Sequence, residues 1–205
     1  MIARTLETSI HGRFLFEDRG TDRLLVGFHG YAESAETHMA ELEKLPGIGR
    51  WSVASVQALH PFYTRSGSIV ANWMTSQDRD LAIADNLAYI RRVLASLPTP
   101  ETLVFIGFSQ GATMAARAAA YVGPATGLIL LGGDIPSEIH DDPGVVLPPA
   151  LVARGLTDDW YTEEKLNKDL KFLEGRVGVR SLVFEGGHEW TDEFRSAAGE
   201  FLRAL

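Results

Sequence analysis

The sequence predicts an α/β fold, in which a mainly parallel central sheet carries helices on both of its faces. One observation is that short apolar runs alternate along the chain with segments of helical periodicity. Another is that these runs lack the polar alternation of half-exposed strands, which is typical of strands covered on both faces. Helices between successive strands imply right-handed crossovers. Because length and composition are those of one globular unit, we expect a single domain over residues 1–205.

Six apolar or β-branched runs are predicted as strands, because each is short and is followed by a turn. An earlier pair, TLETSI (5–10) and RFLFED (13–18), alternates better and predicts an antiparallel hairpin at one edge of the sheet. The six runs are RLLVGF (23–28), WSVASVQA (51–58), TLVFIGF (102–108), TGLILL (126–131), ALVARG (150–155) and VRSLVFEG (179–186).

Five segments between these strands are predicted as helices. In the second of them, Leu81, Ala84 and Leu87 share one face at helical spacing. The segment 132–149 is too short and too rich in proline for a helical cap domain, so we expect none, and therefore a shallow, open cleft. The helical segments are 34–45, 78–97, 109–122, 162–175 and 190–205.

Composition argues against several kinds of function. The formal net charge is -8, so a phosphate-tracking surface for nucleic acid is not expected. The chain has no cysteine, which excludes disulfides, thiolate metal ligands and a cysteine nucleophile. No apolar stretch reaches the roughly 20 residues that span a bilayer, and no secretory signal is evident. We expect a cytoplasmic protein without membrane insertion, and its oligomeric state stays open, a homodimer included.

Ser109 lies in a G-x-S-x-G motif, between Gly107 and Gly111, directly after one predicted strand and before a helix. A nucleophile on such a turn takes a strained backbone conformation, and side chains two positions away would collide with the turn. Glycine at both places removes the collision, which favours a catalytic serine. The alternative is that Ser109 merely caps the following helix.

A serine nucleophile needs a general base, usually a histidine oriented by a carboxylate. His188 follows the last predicted strand in FEGGHEW, where two glycines let its imidazole fold back over the sheet edge. His140 also follows the nucleophile and is the main rival. The other histidines are interpreted as solvated or structural residues; they are His11, His29, His38 and His60.

The orienting acid is expected to leave a strand between the nucleophile and the base. The run ALVARG is followed by TDDW, and the spacing G-x-x-D selects Asp158. Its neighbour Asp159 is then a cap or a solvated residue. Asp134, which also leaves a strand, is the alternative acid.

Attack on a carbonyl also requires two backbone N–H groups directed at the developing oxyanion. Gln110 follows the nucleophile at a helix N-terminus, where the helix dipole favours negative charge. The second donor is expected from the loop after the first central strand, FHGYAES, through the backbone of Tyr31. His29 in that loop is interpreted as a brace.

These motifs resemble those of the α/β-hydrolase superfamily, and within it the phospholipase/carboxylesterase group that includes acyl-protein thioesterase-like enzymes. The matching segments keep the family's order and have compatible spacings, and the resemblance extends over nearly the whole chain. They are FHGYAES (28–34), GFSQGATMA (107–115), RGLTDDWYT (154–162) and GGHEW (186–190).

The resemblance implies a triad of Ser109, Asp158 and His188. It also implies oxyanion donors at Tyr31 and Gln110. Two departures are visible: the family often has histidine before the glycine of the acid motif and a second glycine after H-G. This chain has Arg154 and Ala32 at those places.

An apolar and aromatic segment, residues 60–78, is predicted as a loop whose side chains form an acyl-binding wall. Packing over a satellite core is the alternative. Other residues beside the acid, the histidine and the strand end at 131 are predicted around the same pocket. The predicted substrate-binding residues are Phe62, Trp73, Met74, Ile135, Trp160 and Trp190.

The sequence thus predicts a serine carboxylesterase that needs no cofactor or metal and acts on a small-molecule ester of short to medium acyl chain. Thioester and lysophospholipid hydrolysis use the same machinery and remain alternatives. A slow-turnover ligand-binding receptor on the same fold is a third, because fold alone does not fix function.

Overall fold

The computed structural model describes the whole chain, Met1–Leu205. The strands are β1 (Arg13–Glu17), β2 (Arg23–Phe28), β3 (Ser52–Gln57), β4 (His60–Tyr63), β5 (Ile69–Asn72), β6 (Thr102–Phe108), β7 (Gly127–Leu131), β8 (Ala150–Gly155) and β9 (Val179–Phe184). The helices are α1 (Ala35–Leu42), α2 (Arg79–Ala95), α3 (Gln110–Tyr121), α4 (Ser137–His140), α5 (Glu163–Leu173) and α6 (Asp192–Arg203).

Seven strands form one sheet in the order β1-β3-β2-β6-β7-β8-β9. All neighbours pair in parallel except β1, which runs antiparallel to β3. The predicted mainly parallel sheet is therefore confirmed. All six central strands lie where the sequence predicts them, to within two residues at each end.

The core lies on both faces of this sheet, as predicted. On one face, side chains of α2, α3 and α5 such as Ile90, Met114 and Leu166 pack against the strands. On the other face, α1 and α6 contribute residues such as Leu42 and Phe194. Successive strand residues alternate between the two clusters, so nearly every position of β2, β3, β6, β7 and β8 is buried, whereas the edge strand β9 is largely exposed. This explains why the strands lack polar alternation.

The predicted hairpin at the N-terminal edge is wrong. β1 pairs with β3, in a register from Arg13 opposite Gln57 to Glu17 opposite Val53, and residues 1–12 form no strand. Instead the segment 6–12 borders a groove beside α2, where the Tyr89 hydroxyl donates to the Arg13 carbonyl at 2.6 Å. This contact directs the chain toward the helix and away from the outer edge of β1.

The segment 60–78, predicted as a loop, contains an antiparallel hairpin of β4 and β5 outside the main sheet. The hairpin is joined to the loop after β2 by two backbone hydrogen bonds. Ala32 N–H donates to the Ala71 carbonyl at 3.1 Å, and Ala71 N–H donates to the Glu33 carbonyl at 2.8 Å. The hairpin thus supports the loop in which an oxyanion donor is predicted.

Between β7 and β8 the chain forms only the four-residue helix α4. The carboxyl ends of the parallel strands are therefore left open, and no cap domain covers them, as the sequence predicts. None of the helices combines the length and apolar composition needed to cross a bilayer.

Candidate active site

Ser109 joins β6 to α3 with φ 55° and ψ -123°, a strained conformation for a residue with a side chain. A Cβ at Gly107 would overlap the carbonyl of Gly111, and a Cβ at Gly111 would overlap the carbonyl of Phe28. Ser109 makes no side-chain capping hydrogen bond to α3. The capping alternative is therefore wrong, because the hydroxyl has another partner.

That partner is His188. Its Nε2 lies 2.7 Å from Ser109 Oγ, and its Nδ1 lies 2.8 Å from Asp158 Oδ2. An ionised Asp158 can only accept, so the ring carries its proton on Nδ1. Nε2 is then free to accept the Ser109 hydroxyl hydrogen. The three side chains follow the ends of β6, β8 and β9, and any two of them are at least 30 positions apart along the chain.

Asp158 is buried and held on both sides. Its Oδ1 accepts the N–H groups of Trp160 and Tyr161 at 2.8 and 2.9 Å, which leaves Oδ2 directed at the histidine. Behind it, the buried Arg154 donates from Nε to the Tyr161 carbonyl at 2.8 Å and from Nη2 to the Asp158 carbonyl at 3.2 Å. The arginine that departs from the family pattern thus supports the acid loop.

The loop after β9, which carries His188, is bonded to the loop after β8, which carries Asp158. Thr157 donates to the Gly186 carbonyl through both its N–H and its hydroxyl, each at 2.9 Å. The Phe108 ring lies against the imidazole of His188, with 4.9 Å between ring centroids. These contacts fix where the ring stands relative to Ser109.

The predicted oxyanion donors border the same cleft as Ser109. Gln110 is the first residue of α3, so its N–H has no intrahelical acceptor. The N–H of Tyr31 donates to no backbone carbonyl of the protein. Both N–H groups are thus available to an external acceptor.

The side chain of Gln110 holds the other wall of the cleft. Its Oε1 accepts from Trp73 N–H at 2.9 Å, and its Nε2 donates to the Met74 carbonyl at 2.9 Å. The start of α3 and the segment after β5 therefore form one rigid unit.

His29 braces the loop after β2, in which Tyr31 is the predicted oxyanion donor. Its Nδ1 donates to the Gly30 carbonyl at 2.7 Å, while its Nε2 accepts from Ala58 N–H at 3.0 Å. Burial lowers the pKa of His29, which keeps the ring neutral and suits one donor and one acceptor nitrogen. Its carbonyl accepts from Trp73 Nε1 at 2.8 Å.

Sequence reasoning missed Glu33. Its Oε2 accepts the N–H of Gly30 at 2.7 Å, so the carboxylate holds the loop that carries Tyr31. Burial raises the pKa of Glu33. Ala32, which lies between Gly30 and Glu33, takes φ 58°. This value favours glycine, which explains why glycine is often found at this place in the family that the sequence resembles. No sequence signal distinguishes this glutamate from the many solvated ones.

The rival histidines lie elsewhere. His140 Nε2 bonds Asp169 Oδ1 at 2.9 Å and its ring stacks on Phe172. His38 is fully buried without a hydrogen-bond partner, and His11 and His60 are exposed.

The rival acids are likewise not bonded to His188. Asp134 borders the cleft without a hydrogen bond to the imidazole, and Asp159 faces solvent. Of all the candidates, only His188 and Asp158 are linked to Ser109 by hydrogen bonds, Ser109 to His188 and His188 to Asp158.

The cleft above Ser109 has a volume of about 720 Å³, within the usual range for small-molecule sites. Of the predicted pocket residues, Met74 and the exposed Trp160 border it. The remaining lining is mostly small or polar: Tyr31, Thr75, Ser76, Arg79, Ser109, Gln110, Thr113, Gly132, Gly133, Asp134, Lys165 and His188.

Four predicted pocket residues do not border this cleft. Trp73 is fully buried against Phe28 and His29, so it belongs to the core. Ile135 is buried beneath the loop after β7, with its N–H bound to Asp169. The apolar character of a side chain in the sequence predicts that it is buried. It does not predict whether the side chain lies in the core or lines a pocket.

The other two contact residues of the site. Trp190 packs between Phe108 and Phe194, and Phe108 in turn contacts the His188 ring. Phe62 stands on β4 and packs against the ring of Tyr31. Of the apolar residues in the segment 60–78 that are predicted to bind an acyl group, only Met74 borders the cleft.

Comparison with known proteins finds no matching family model and no matching curated sequence. Solved structures do match. The carboxylesterase of Bacillus cereus has a TM-score of 0.72 at 18% identity, over 94% of each chain. Acyl-protein thioesterase 2 of Zea mays has a TM-score of 0.72 at 19% identity, over 95% of this chain and 99% of that one.

A phospholipase/carboxylesterase from Dyadobacter fermentans likewise matches with a TM-score of 0.72 at 17% identity, over 96% of this chain and 99% of that one. The chain therefore has the α/β-hydrolase fold, as the sequence predicts. Within that fold, its similarity to carboxylesterase and acyl-protein thioesterase structures extends over nearly its whole length.

Proposed function

We propose that this chain is a single-domain serine hydrolase of the phospholipase/carboxylesterase family that cleaves carboxylic esters through an acyl-enzyme. The observation that carries the proposal is the hydrogen-bonded sequence Ser109–His188–Asp158, with distances of 2.7 and 2.8 Å. Ser109 stands at a strained strand-to-helix turn with free backbone N–H groups beside it, and this combination is the requirement for acyl transfer.

Acylation begins when His188 Nε2 takes the Ser109 hydroxyl proton and Oγ attacks the ester carbonyl carbon. The carbonyl oxygen becomes an oxyanion, which the N–H groups of Tyr31 and Gln110 stabilise. His188 then gives its proton to the leaving alcohol oxygen, and the C–O bond breaks. Asp158 stabilises the imidazolium and fixes its orientation, and stays ionised throughout.

Deacylation repeats these steps with water as the nucleophile. His188 takes a proton from water, the hydroxide attacks the acyl-enzyme, and Ser109 leaves with the proton returned by His188. The products are a carboxylic acid and free enzyme. Besides the ester and water, these steps use only the residues named.

The cleft favours small esters over lipids. A long acyl chain needs a continuous apolar channel, since each buried CH₂ contributes about 0.8 kcal/mol. Here the lining offers Met74, Trp160 and the ring of Tyr31 among polar or small residues. Short to medium acyl groups are therefore the expected substrates, and lysophospholipids are disfavoured.

Thioester hydrolysis is a second candidate, supported by the similarity to the thioesterase of Zea mays. The same triad attacks a thioester carbonyl, and a thiolate leaves more readily than an alkoxide. A comparison of p-nitrophenyl acetate with an acetyl thioester decides between the two.

The decisive experiment is Ser109→Ala, with Ser66→Ala in the exposed β4–β5 turn as a matched control. We expect Ser109→Ala to abolish p-nitrophenyl acetate turnover and fluorophosphonate labelling, and Ser66→Ala to retain both. Retained turnover in Ser109→Ala would refute the nucleophile assignment. A single burst of product without turnover in the wild type would favour the receptor alternative.

A further inference from the structure

The cleft that contains Ser109 also contains two cationic side chains, Arg79 at the start of α2 and Lys165 in the first turns of α5. Both are exposed, in a chain whose formal net charge is -8. An active site for neutral short esters needs neither charge. Their presence calls for a negative group to bind.

Arg79 has no partner within the protein. The carboxylate best placed to neutralise this region, Glu138, is already bound by the buried Arg117, whose Nε donates to Glu138 Oε1 at 2.7 Å. Arg79 forms no salt bridge, and its charge interacts with Glu138 only at longer range. Ser76 is also part of the cleft lining.

Lys165 is different, because its Nζ already donates to the Trp160 carbonyl at 2.7 Å. One carboxylate, Asp134, also borders the cleft. The negative charge of Asp134 offsets part of the positive charge of Arg79 and Lys165. The remaining positive charge favours a ligand with one negative charge over a dianion such as a phosphate ester.

The two cations lie on different elements, Arg79 on α2 and Lys165 on α5, and both border the cleft. Lys165 is bonded to the Trp160 carbonyl, and the Trp160 ring lies 6.4 Å from the His188 ring. Because His188 must protonate the leaving group, the Lys165 side suits the alcohol. The segment before Arg79 is bonded through the Met74 carbonyl to the Gln110 side chain. Arg79 is then the cation left for the acyl group.

We propose that the acyl group of the substrate ends in a carboxylate that binds Arg79, so that the preferred substrates are half-esters or half-thioesters of dicarboxylic acids. The proposal rests on the proposed hydrolase function. The planar guanidinium fork can bind a carboxylate through two N–H groups, and Ser76 can add a hydroxyl donor. Binding through this group positions the reacting carbonyl at Ser109.

The test compares p-nitrophenyl hemiadipate with p-nitrophenyl hexanoate, which have six-carbon acyl groups with and without the terminal carboxylate. We expect Arg79→Gln to lower the hemiadipate-to-hexanoate ratio of kcat/KM by about tenfold, as for loss of one charge-assisted hydrogen bond. Arg79→Lys, which keeps the charge without the fork, should lose less.

The matched control is Arg92→Gln on the same helix, because Arg92 is exposed and lies outside the cleft. It changes the net charge equally and should leave the ratio at its wild-type value. An equal effect of Arg92→Gln would assign the preference to overall charge and overturn the proposal. So would an unchanged ratio in Arg79→Gln.

Failure of the hydrolase function has a different signature, which is no turnover of either ester by the wild type. In that case calorimetric binding of adipate to the wild-type protein still tests Arg79. Binding that is weakened about tenfold in Arg79→Gln, and not in Arg92→Gln, supports the anion site. Absence of adipate binding to the wild type overturns it.

Discussion

The carboxylate of Glu33 accepts the N–H of Gly30 at 2.7 Å, one residue before the predicted oxyanion donor Tyr31. This bond closes a tight loop in which Ala32 holds a positive φ of 58°. A strained loop persists only when its surroundings determine it. The backbone direction at Tyr31 thus depends on a side chain that touches no substrate.

Replacement of Glu33 by Ala is expected to lower kcat by about tenfold with little change in KM, because a displaced oxyanion donor acts on the transition state and losing one outright costs about 10² to 10³. Steady-state kinetics on p-nitrophenyl acetate measures the two constants separately. Glu33→Gln retains an acceptor oxygen and should recover most of kcat. Glu36→Ala, an exposed glutamate that pairs with Arg13, is the control.

An effect confined to KM, or an equal loss in Glu36→Ala, would contradict the positioning role of Glu33.

Asp158→Asn is expected to lower kcat by about 10⁴, since an amide donates to Nδ1 and forces the wrong histidine tautomer. Asp159→Asn removes the same charge from the adjacent, exposed residue and should change kcat less than twofold, since exposed charges interact weakly through water. Kinetics with p-nitrophenyl acetate compares the pair. A larger loss in Asp159→Asn would mean that the acid has been assigned to the wrong residue.

Gly111→Ala is expected to prevent folding or to destabilise the protein by about 3 kcal/mol or more, because the new Cβ overlaps the Phe28 carbonyl, which belongs to a rigid central strand. Gly123→Ala is the matched substitution at a site with open space around the glycine. Urea unfolding followed by circular dichroism provides both values. Equal stability of the two variants would show that the strand-to-helix turn at Ser109 can relax.

His38 should make stability depend on pH. Burial lowers its pKa from 6.5 to about 3, and neither ring nitrogen has a partner. Between these values the unfolded chain binds more protons than the folded one, so stability is lost as pH falls below 6.5. From pH 7 to pH 5 the loss from this residue is about 2 kcal/mol.

The measurement is urea unfolding of the wild type and of His38→Met at both pH values, since methionine adapts to irregular core space. The variant should lose about 2 kcal/mol less than the wild type between pH 7 and pH 5. The same loss in both proteins would show that His38 does not titrate in this range.

The sequence predicts the central strands well because five of the six, β2, β3, β6, β7 and β8, are buried on both faces, which short apolar runs indicate. It also predicts which side chains meet, since chain order and the parallel topology bring Ser109, Asp158 and His188 to one edge. Their catalytic roles stay predictions. What local pattern cannot supply is long-range pairing, which is why β1 was assigned to the wrong partner.

The pocket was harder to predict for the same physical reason. Trp73 and Ile135 are apolar, as residues of a binding wall would be, but they are buried in the core. The residues that do border the cleft, such as Ser76 and Arg79, resemble ordinary surface residues. Only the packing of separate segments reveals that they share one cavity.

The hairpin of β4 and β5 exchanges two backbone hydrogen bonds with the loop after β2, through Ala32 and Ala71. Hydrogen exchange at these two amides therefore reports on this loop without substrate or label. Whenever the loop leaves the hairpin, both N–H groups open together to deuterium from the solvent. Their exchange rates measure how much of the time the protein holds in place the loop that carries the proposed oxyanion donor Tyr31.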